Sequence, residues 1–169
     1  MPIQRFVVGP MGNNCYILYS ESSTDAAIVD PGMGSEVVNQ WITEKDLQVK
    51  YVLNTHGHAD HVFNNSFFVQ GREEVLGIGF DDIPLLEQLE SSGGWMGAKP
   101  EPSPQPSIDL KDGVELQIGS QQISILSFKI SNICCLFDLR RESEFFGLSG
   151  LSRRIQRSIF GFVFCPINT

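Results

Sequence analysis

The chain has 169 residues, of which 41% are hydrophobic and 19% are charged, and this composition predicts a single soluble globular domain over residues 1–169. Its formal net charge of −8 argues against nucleic acid or an anionic membrane as the main partner. No apolar stretch of roughly 18 residues predicts a transmembrane helix, and the first residues show no signal-peptide features, so we expect a cytoplasmic protein.

The hydrophobic pattern predicts strands and helices in alternation. In chain order it predicts strands over residues 4–9, 14–20 and 26–29, a helix over 35–44, a strand over 50–54, a helix-compatible segment over 62–69, a strand over 75–78, a helix over 81–89, and strands over 108–110, 114–118 and 122–126. Four prolines lie in residues 91–107, which we interpret as a loop long enough to act as a lid. This order implies an α/β (α+β) fold in which a sheet is layered against helices.

All the histidines of the chain lie within six residues, directly after the predicted strand 50–54. They are His56, His58 and His61, and Asp60 stands between the last two. Histidine is the commonest neutral nitrogen ligand of metals, and aspartate supplies an oxygen that zinc, manganese or iron accepts. Ligands two residues apart can converge on one ion, and the adjacent Asp60 and His61 can turn towards a second. A polar loop with incidental histidines is the alternative interpretation, and the density of candidate ligands argues against it.

The stretch from His56 to His61 resembles the HxHxDH signature of the metallo-β-lactamase-fold hydrolases. Three other segments resemble landmarks of that family, namely its early N-C/T-Y strand, its I-D-P-G turn and its L-x-D-G turn, at Asn13-Asn14-Cys15-Tyr16, Ile28-Val29-Asp30-Pro31-Gly32 and Leu110-Lys111-Asp112-Gly113. The spacing and residues 95–106 are most similar to the small glyoxalase II-like branch, which includes hydroxyacylglutathione hydrolases. The resemblance covers roughly residues 3–126.

The resemblance implies an αββα sandwich with up to two metal ions, usually zinc, with iron or manganese as alternatives. It implies these ligands: His56 and His58 for the first ion, Asp60 and His61 for the second. Asp30 would support the ligands without touching the ions. A hydroxide held between the ions would attack a small-molecule acyl or thioester substrate, and we expect Asp60 to be catalytic. The loop from Trp95 to Pro106 would border that substrate.

The family also uses three later metal ligands, and this sequence departs from the family at each of them. Residues 127–133 replace a turn that carries a histidine, Leu148 stands where a bridging aspartate is expected, and no fourth histidine exists for the third position. Cys134, Cys135 or Asp138 could serve as substitutes, although nothing in the spacing requires it. We therefore expect the C-terminal half of the sandwich to be incomplete and its metal binding to be weakened.

Two explanations for residues 127–169 stay open. One is a decayed, truncated or frame-shifted copy, which the charged residues 140–144 favour because they interrupt an expected strand. The other is a real divergence that keeps one weakly bound metal. The sequence accordingly predicts a metal-dependent hydrolase, with a thioester such as S-lactoylglutathione as its substrate. The alternative is a catalytically inactive remnant or interaction module of the same fold. No oligomeric state is indicated.

Overall fold

The computed structural model describes residues 1–70, 75–92, 94, 97–126 and 136–138. Its elements follow in chain order: β1 (Ile3–Val8), β2 (Asn13–Tyr19), β3 (Asp25–Val29), α1 (Glu36–Glu44), β4 (Gln48–Leu53), α2 (Ala59–Val62), α3 (Asn65–Val69), β5 (Leu76–Ile78), a 3-10 turn (Phe80–Asp82), α4 (Ile83–Glu87), α5 (Leu89–Ser92), β6 (Ile108–Asp109), β7 (Glu115–Ile118), β8 (Gln121–Leu126) and β9 (Leu136–Asp138). None of the helices in these ranges is long and apolar enough to cross a membrane.

A six-stranded sheet has its strands in the order β1-β2-β3-β4-β5-β6. The first three strands pair antiparallel, whereas β3 to β6 pair in parallel. All residues of β3 after Asp25 are buried, as expected of a strand covered on both faces. A second, antiparallel sheet consists of β7, β8 and β9, and β7 alternates exposed with buried residues.

Hydrophobic clusters cover both faces of the six-stranded sheet. On one face, Ile17, Ile28 and Val52 belong to the same cluster as buried side chains of α1 and α3. On the other face, Val29 and Leu53 pack with buried side chains of β7 and β8. Helices, central sheet and second sheet therefore form successive layers, and the predicted α/β sandwich is confirmed.

The predicted strands agree with β1 to β8 to within two residues at each end, but two helical predictions are wrong in extent. The predicted helix 81–89 is divided between the 3-10 turn, α4 and α5, because Pro84 has no N–H to donate and stands in the first turn of a new helix. The segment 62–69 is divided between α2 and α3. At that break the backbone N–H of Asn64 donates to the carbonyl of Pro31 at 2.8 Å instead of to a carbonyl of the preceding turn.

Most of the region that we expected to be degenerate lies outside the described residues. Of residues 127–169 the structure describes β9 alone, which pairs with β8 so that Asp138 lies opposite Ser124. The predictions that concern Cys134, Cys135 and Leu148 lie outside the described residues, as does Trp95 at the start of the predicted substrate-bordering loop.

Candidate metal centre

The four candidate ligands occupy a loop and a short helix that follow β4. Because β3, β4 and β5 run parallel, their C-terminal ends meet at one edge of the sheet, which is where α/β proteins place their sites. His58 directly precedes α2, whose first turn carries Asp60 and then His61. His56 and His61 are buried, with 1% and 3% of their surface exposed, whereas His58 is exposed. The cluster thus has a buried floor and a side that faces solvent.

The structure brings all four candidate ligands together. The ring centroids of His56 and His58 are 4.6 Å apart, and those of His56 and His61 are 4.2 Å apart. The Asp60 carboxylate lies beside this group, with Oδ2 3.5 Å from Nε2 of His61. The local sequence pattern therefore corresponds to a spatial cluster of three imidazoles and one carboxylate.

Asp30, which the resemblance places behind the ligands, lies at the end of β3 and is 1% exposed. Its carboxylate accepts hydrogen bonds from the backbone N–H of Thr55 at 2.7 Å, from the Thr55 hydroxyl at 2.7 Å and from Nδ1 of His61 at 3.0 Å. Its backbone has a φ of 51°, in the left-handed region that residues other than glycine rarely adopt. One strained, buried residue therefore connects the loop after β3 to the loop after β4.

These contacts determine which ring nitrogen of each buried histidine carries the proton in the neutral form. The Thr55 hydroxyl has one proton and donates it to Asp30, so its oxygen can only accept from Nδ1 of His56, which lies 3.0 Å away. His61 likewise donates from Nδ1 to Asp30. In their neutral forms both imidazoles then keep an unprotonated Nε2, which is the form that binds a metal.

The surroundings shift the pKa values of the two buried histidines in opposite directions. Burial, together with the neighbouring His61, lowers the pKa of His56 to about 4, so this ring is neutral near pH 7. Burial alone would lower the pKa of His61 as well. The negative charge of Asp30, its hydrogen bond and the charge of Asp60 outweigh this burial and raise the pKa of His61 above its ordinary value. A neutral His56 is available as a ligand without losing a proton.

Three residues that sequence reasoning did not assign to the site also hold it in place. The Thr55 hydroxyl donates to Asp30 and accepts from His56, as described above. Asn13, the first residue of β2, donates from Nδ2 to the backbone oxygen and to Oδ2 of Asp60. Asp82, in the 3-10 turn, accepts from the backbone N–H of Gly57 at 3.0 Å. Asn13 stood in a recognised motif and Asp82 began a predicted helix, but neither signal points to a contact with the histidine loop.

A buried pair of amides lies behind α2. Asn54 and Asn65 donate to each other's side-chain oxygens at 3.1 and 2.9 Å, and both residues are fully buried. Asn65 also donates to the hydroxyl of Ser103 at 3.0 Å, in the proline-rich loop. The loop that we interpreted as a lid is therefore fastened, at Ser103, to the element that follows the candidate ligands.

A small open cleft adjoins Asp60 on the solvent side. It is lined by residues of the β1–β2 turn and of the loop after β3, namely Val8, Gly9, Pro10, Met11, Asn13 and Met33, together with Asp60 itself. Most of this lining is apolar, and Met11 is more than half exposed. The cleft therefore places an apolar surface beside Asp60.

The chemistry of the donors fits a divalent transition metal. In the assignment that the resemblance implies, His56 and His58 would offer two imidazoles to one ion, while Asp60 and His61 would offer a carboxylate and an imidazole to another. Within the ranges that the structure describes, no group of three or more histidine, cysteine, aspartate or glutamate side chains is placed to hold a single ion. With two ligands each, the two assigned pairs would supply only part of a four-ligand coordination shell.

The family model of the metallo-β-lactamase superfamily matches residues 8–126, more than half of the chain. The chain therefore belongs to the metallo-β-lactamase superfamily, and the resemblance drawn from the HxHxDH motif is confirmed. Solved structures support the fold. The B3 metallo-β-lactamase BLEG-1 has a TM-score of 0.69 at 21% identity, over 82% of this chain and 67% of that one. TTHA1623, solved in a di-iron-bound form, has a TM-score of 0.66 at 22% identity, over 79% and 65%.

The chain covers different shares of two similar proteins. The chain is 29% identical over 147 residues to an uncharacterised protein of Aquifex aeolicus, which covers 83% of this chain and 67% of that protein. It is 42% identical over 62 residues to the hydroxyacylglutathione hydrolase GloC of Haemophilus influenzae, which covers 37% of this chain and 29% of GloC. The chain thus matches about two thirds of the first relative and under a third of the second.

Proposed function

We propose that this chain carries the metal-binding half of a hydrolase that cleaves a small acyl compound, with a hydroxyacylglutathione-type thioester as the substrate. The observation that carries the proposal is the position of Asp30, which fixes His56 through Thr55 and fixes His61 directly. Metal-binding histidines are typically held in this way, by a hydrogen bond from the nitrogen that faces away from the ion. The likeness to GloC supports the thioester as substrate class.

Zinc is the metal that we propose, because imidazole and carboxylate ligands suit it well. Iron and manganese accept the same donors, and TTHA1623 was solved with two irons. When bound, such a metal supplies a Lewis acid that polarises the acyl carbonyl and lowers the pKa of water to near neutrality.

The candidate ligands would have the following roles. His56 and His58 would hold one ion, and His61 would hold the other together with Asp60. The Asp60 side chain is 18% exposed and lines the cleft, whereas His56 and His61 are buried. We therefore propose Asp60 as both ligand and catalytic residue.

A second candidate function is a catalytically inactive member of the fold that acts as an interaction module. One observation favours it: among the residues that the structure describes, no ion has three candidate ligands, and the sequence contains no fourth histidine. A site with two ligands for each ion binds weakly because each missing ligand removes bond energy and restraint. The two candidates differ in metal content and in hydrolysis.

The experiment that separates them begins with the metal content of the protein as purified, measured by atomic emission. About two ions per chain support the hydrolase, whereas a content well below one contradicts it.

Hydrolysis of S-lactoylglutathione is then compared between the wild type, Asp60→Ala and Asp112→Ala. Asp112 lies exposed in the turn before β7 and controls for the loss of one carboxylate. We expect Asp60→Ala to lose activity and Asp112→Ala to keep it. Equal rates for all three proteins favour the inactive module.

A further inference from the structure

We propose that Asn13 is a positioning residue that orients the Asp60 carboxylate for the second metal ion, an inference that rests on the function proposed above. Its Nδ2 lies 2.8 Å from Oδ2 of Asp60 and 3.0 Å from the backbone oxygen of the same residue. One amide therefore binds both the side chain and the main chain of a single candidate ligand. Such a double contact restrains the rotation between them, which sets the orientation of the carboxylate.

The β1–β2 hairpin places Asn13 at this position. Asn13 pairs with Val8 at the end of the hairpin, directly after Gly12, whose φ of 68° turns the chain. The turn ends with a hydrogen bond from the N–H of Gly12 to the oxygen of Gly9. The amide that reaches Asp60 therefore projects from a regular strand and not from a free loop, which favours a fixed geometry.

Gly32 closes the other side of the Asp60 main chain. A Cβ atom built on Gly32 would lie 2.1 Å from the backbone oxygen of Asp60, so only glycine allows this approach. The Asp60 carbonyl is thus held between the Asn13 amide and the Gly32 backbone. With the main chain fixed in this way, the hydrogen bond from Asn13 to Oδ2 selects one orientation of the carboxylate.

The chemistry of an amide suits this role. Asparagine is neutral, so it donates a hydrogen bond without adding a positive charge that would compete with the ion. Oδ2 can accept from Asn13 and still present a lone pair towards Nε2 of His61, 3.5 Å away. Partners of this kind typically change metal affinity 10–100-fold when they are removed. We expect an effect of that size on the ion shared by Asp60 and His61.

The test is a competitive titration with Co²⁺ alone, read by a chromophoric chelator and by the visible spectrum of the bound ion. Variants are Asn13→Ala, Asn13→Ser, Asp60→Ala and the double variant Asn13→Ala/Asp60→Ala. Asn14→Ala is the matched control, because Asn14 is the same residue type one position along β2 and its side chain points to the opposite face of the sheet. Thermal unfolding without metal checks that each variant folds, and Asn13→Ser is available if Asn13→Ala does not.

We expect Asn13→Ala to weaken binding of one Co²⁺ by about 10–100-fold and to alter its spectrum, while Asn14→Ala binds like the wild type. In the Asp60→Ala background, removal of Asn13 should have no further effect, because Asn13 acts through Asp60. Wild-type affinity in Asn13→Ala, an equal loss in Asn14→Ala, or an undiminished loss in the Asp60→Ala background each overturns the inference alone. A wild type that binds no Co²⁺ overturns the proposed function, and this inference with it.

Discussion

Asp30→Asn tests how the site is held together, because it keeps the shape of the side chain and removes its charge. The Asp30 carboxylate accepts three hydrogen bonds, two from Thr55 and one from His61, and it is buried. A carboxylate has two acceptor oxygens, whereas an amide has one oxygen and one NH₂ group. The substitution therefore forces a donor into a position that faces other donors.

Either orientation of the new amide is unfavourable. If its oxygen replaces Oδ2, its NH₂ group opposes the backbone N–H of Thr55, which lies 2.7 Å from the present Oδ1. If its NH₂ group replaces Oδ2, it donates to Nδ1 of His61 and moves the imidazole proton to Nε2. A lost hydrogen bond to a charged acceptor costs about 1.5–3 kcal/mol, and an unsatisfied buried donor costs about 1–3 kcal/mol. Because these costs overlap, we expect the free energy of unfolding to fall by about 3 kcal/mol.

Two measurements check the prediction on the metal-free protein. Urea denaturation of the wild type, Asp30→Asn and the exposed-turn control Asp112→Asn gives the change in stability. Long-range ¹⁵N–¹H spectra of the imidazoles report which nitrogen carries the proton in each histidine. Thr55→Val is the companion variant, since it removes the acceptor of His56 and leaves the contact between Asp30 and His61 in place. In this variant only His56 should be able to adopt its other tautomer, while His61 keeps its proton on Nδ1.

The reasoning is refuted if Asp30→Asn is as stable as the wild type and its His56 and His61 keep the same protonated nitrogens. Loss of stability with unchanged tautomers would support a packing role for Asp30 and would contradict its role in presenting the ligands. A matching loss in Asp112→Asn would show that the assay responds to charge in general.

Three further predictions concern Gly32, the Cys15 thiol and zinc binding. Gly32→Ala should destabilise the protein and weaken Co²⁺ binding, because its Cβ would lie 2.1 Å from the backbone oxygen of Asp60. A Cβ on Gly94 meets no described atom within 4 Å, so Gly94→Ala should change neither the urea denaturation curve nor the Co²⁺ titration. Burial, and then the charge of Asp30, raises the pKa of the Cys15 thiol above its ordinary 9.0, so the folded state keeps a proton that the unfolded state loses. Stability should therefore fall above about pH 9, by up to about 1.4 kcal/mol per pH unit relative to Cys15→Ala, as urea denaturation at several pH values can measure. Zinc at 100 times its dissociation constant should stabilise the folded state by about 2.7 kcal/mol in thermal unfolding, and a chelator should reverse this; an unchanged transition would contradict specific binding.

The sequence predicted the strands well where burial on both faces leaves a clear apolar run, as in β3. It failed where a tertiary contact decides the backbone. The predicted helix 35–44 begins at Ser35, a residue type that commonly caps helices. Ser35 does occupy the N-cap position of α1, but its side chain makes no capping hydrogen bond to the helix. Its hydroxyl instead accepts a hydrogen bond from Asn64, which also donates to Gly32. Such a contact joins residues 29 positions apart, and no local pattern reveals it.

The candidate ligands were predictable for the opposite reason. All of them lie between His56 and His61, so their spacing is visible in one short stretch. The residues that hold them were harder to find, because Asn13 reaches Asp60 across 47 positions and Asp82 reaches Gly57 across 25. The resemblance to a family supplied Asp30, which composition and periodicity alone would have left as a turn residue.

The residues described above as holding the four candidate ligands come early in the chain. Asn13, Asp30, Thr55 and Asp82 all precede the proline-rich loop, so the hydrogen bonds that orient the cluster join residues between positions 13 and 82. The ligands and these four partners thus all lie in the first half of the chain. An HxHxDH motif with these partners is therefore evidence of descent, whereas turnover also depends on ligands that the motif does not supply.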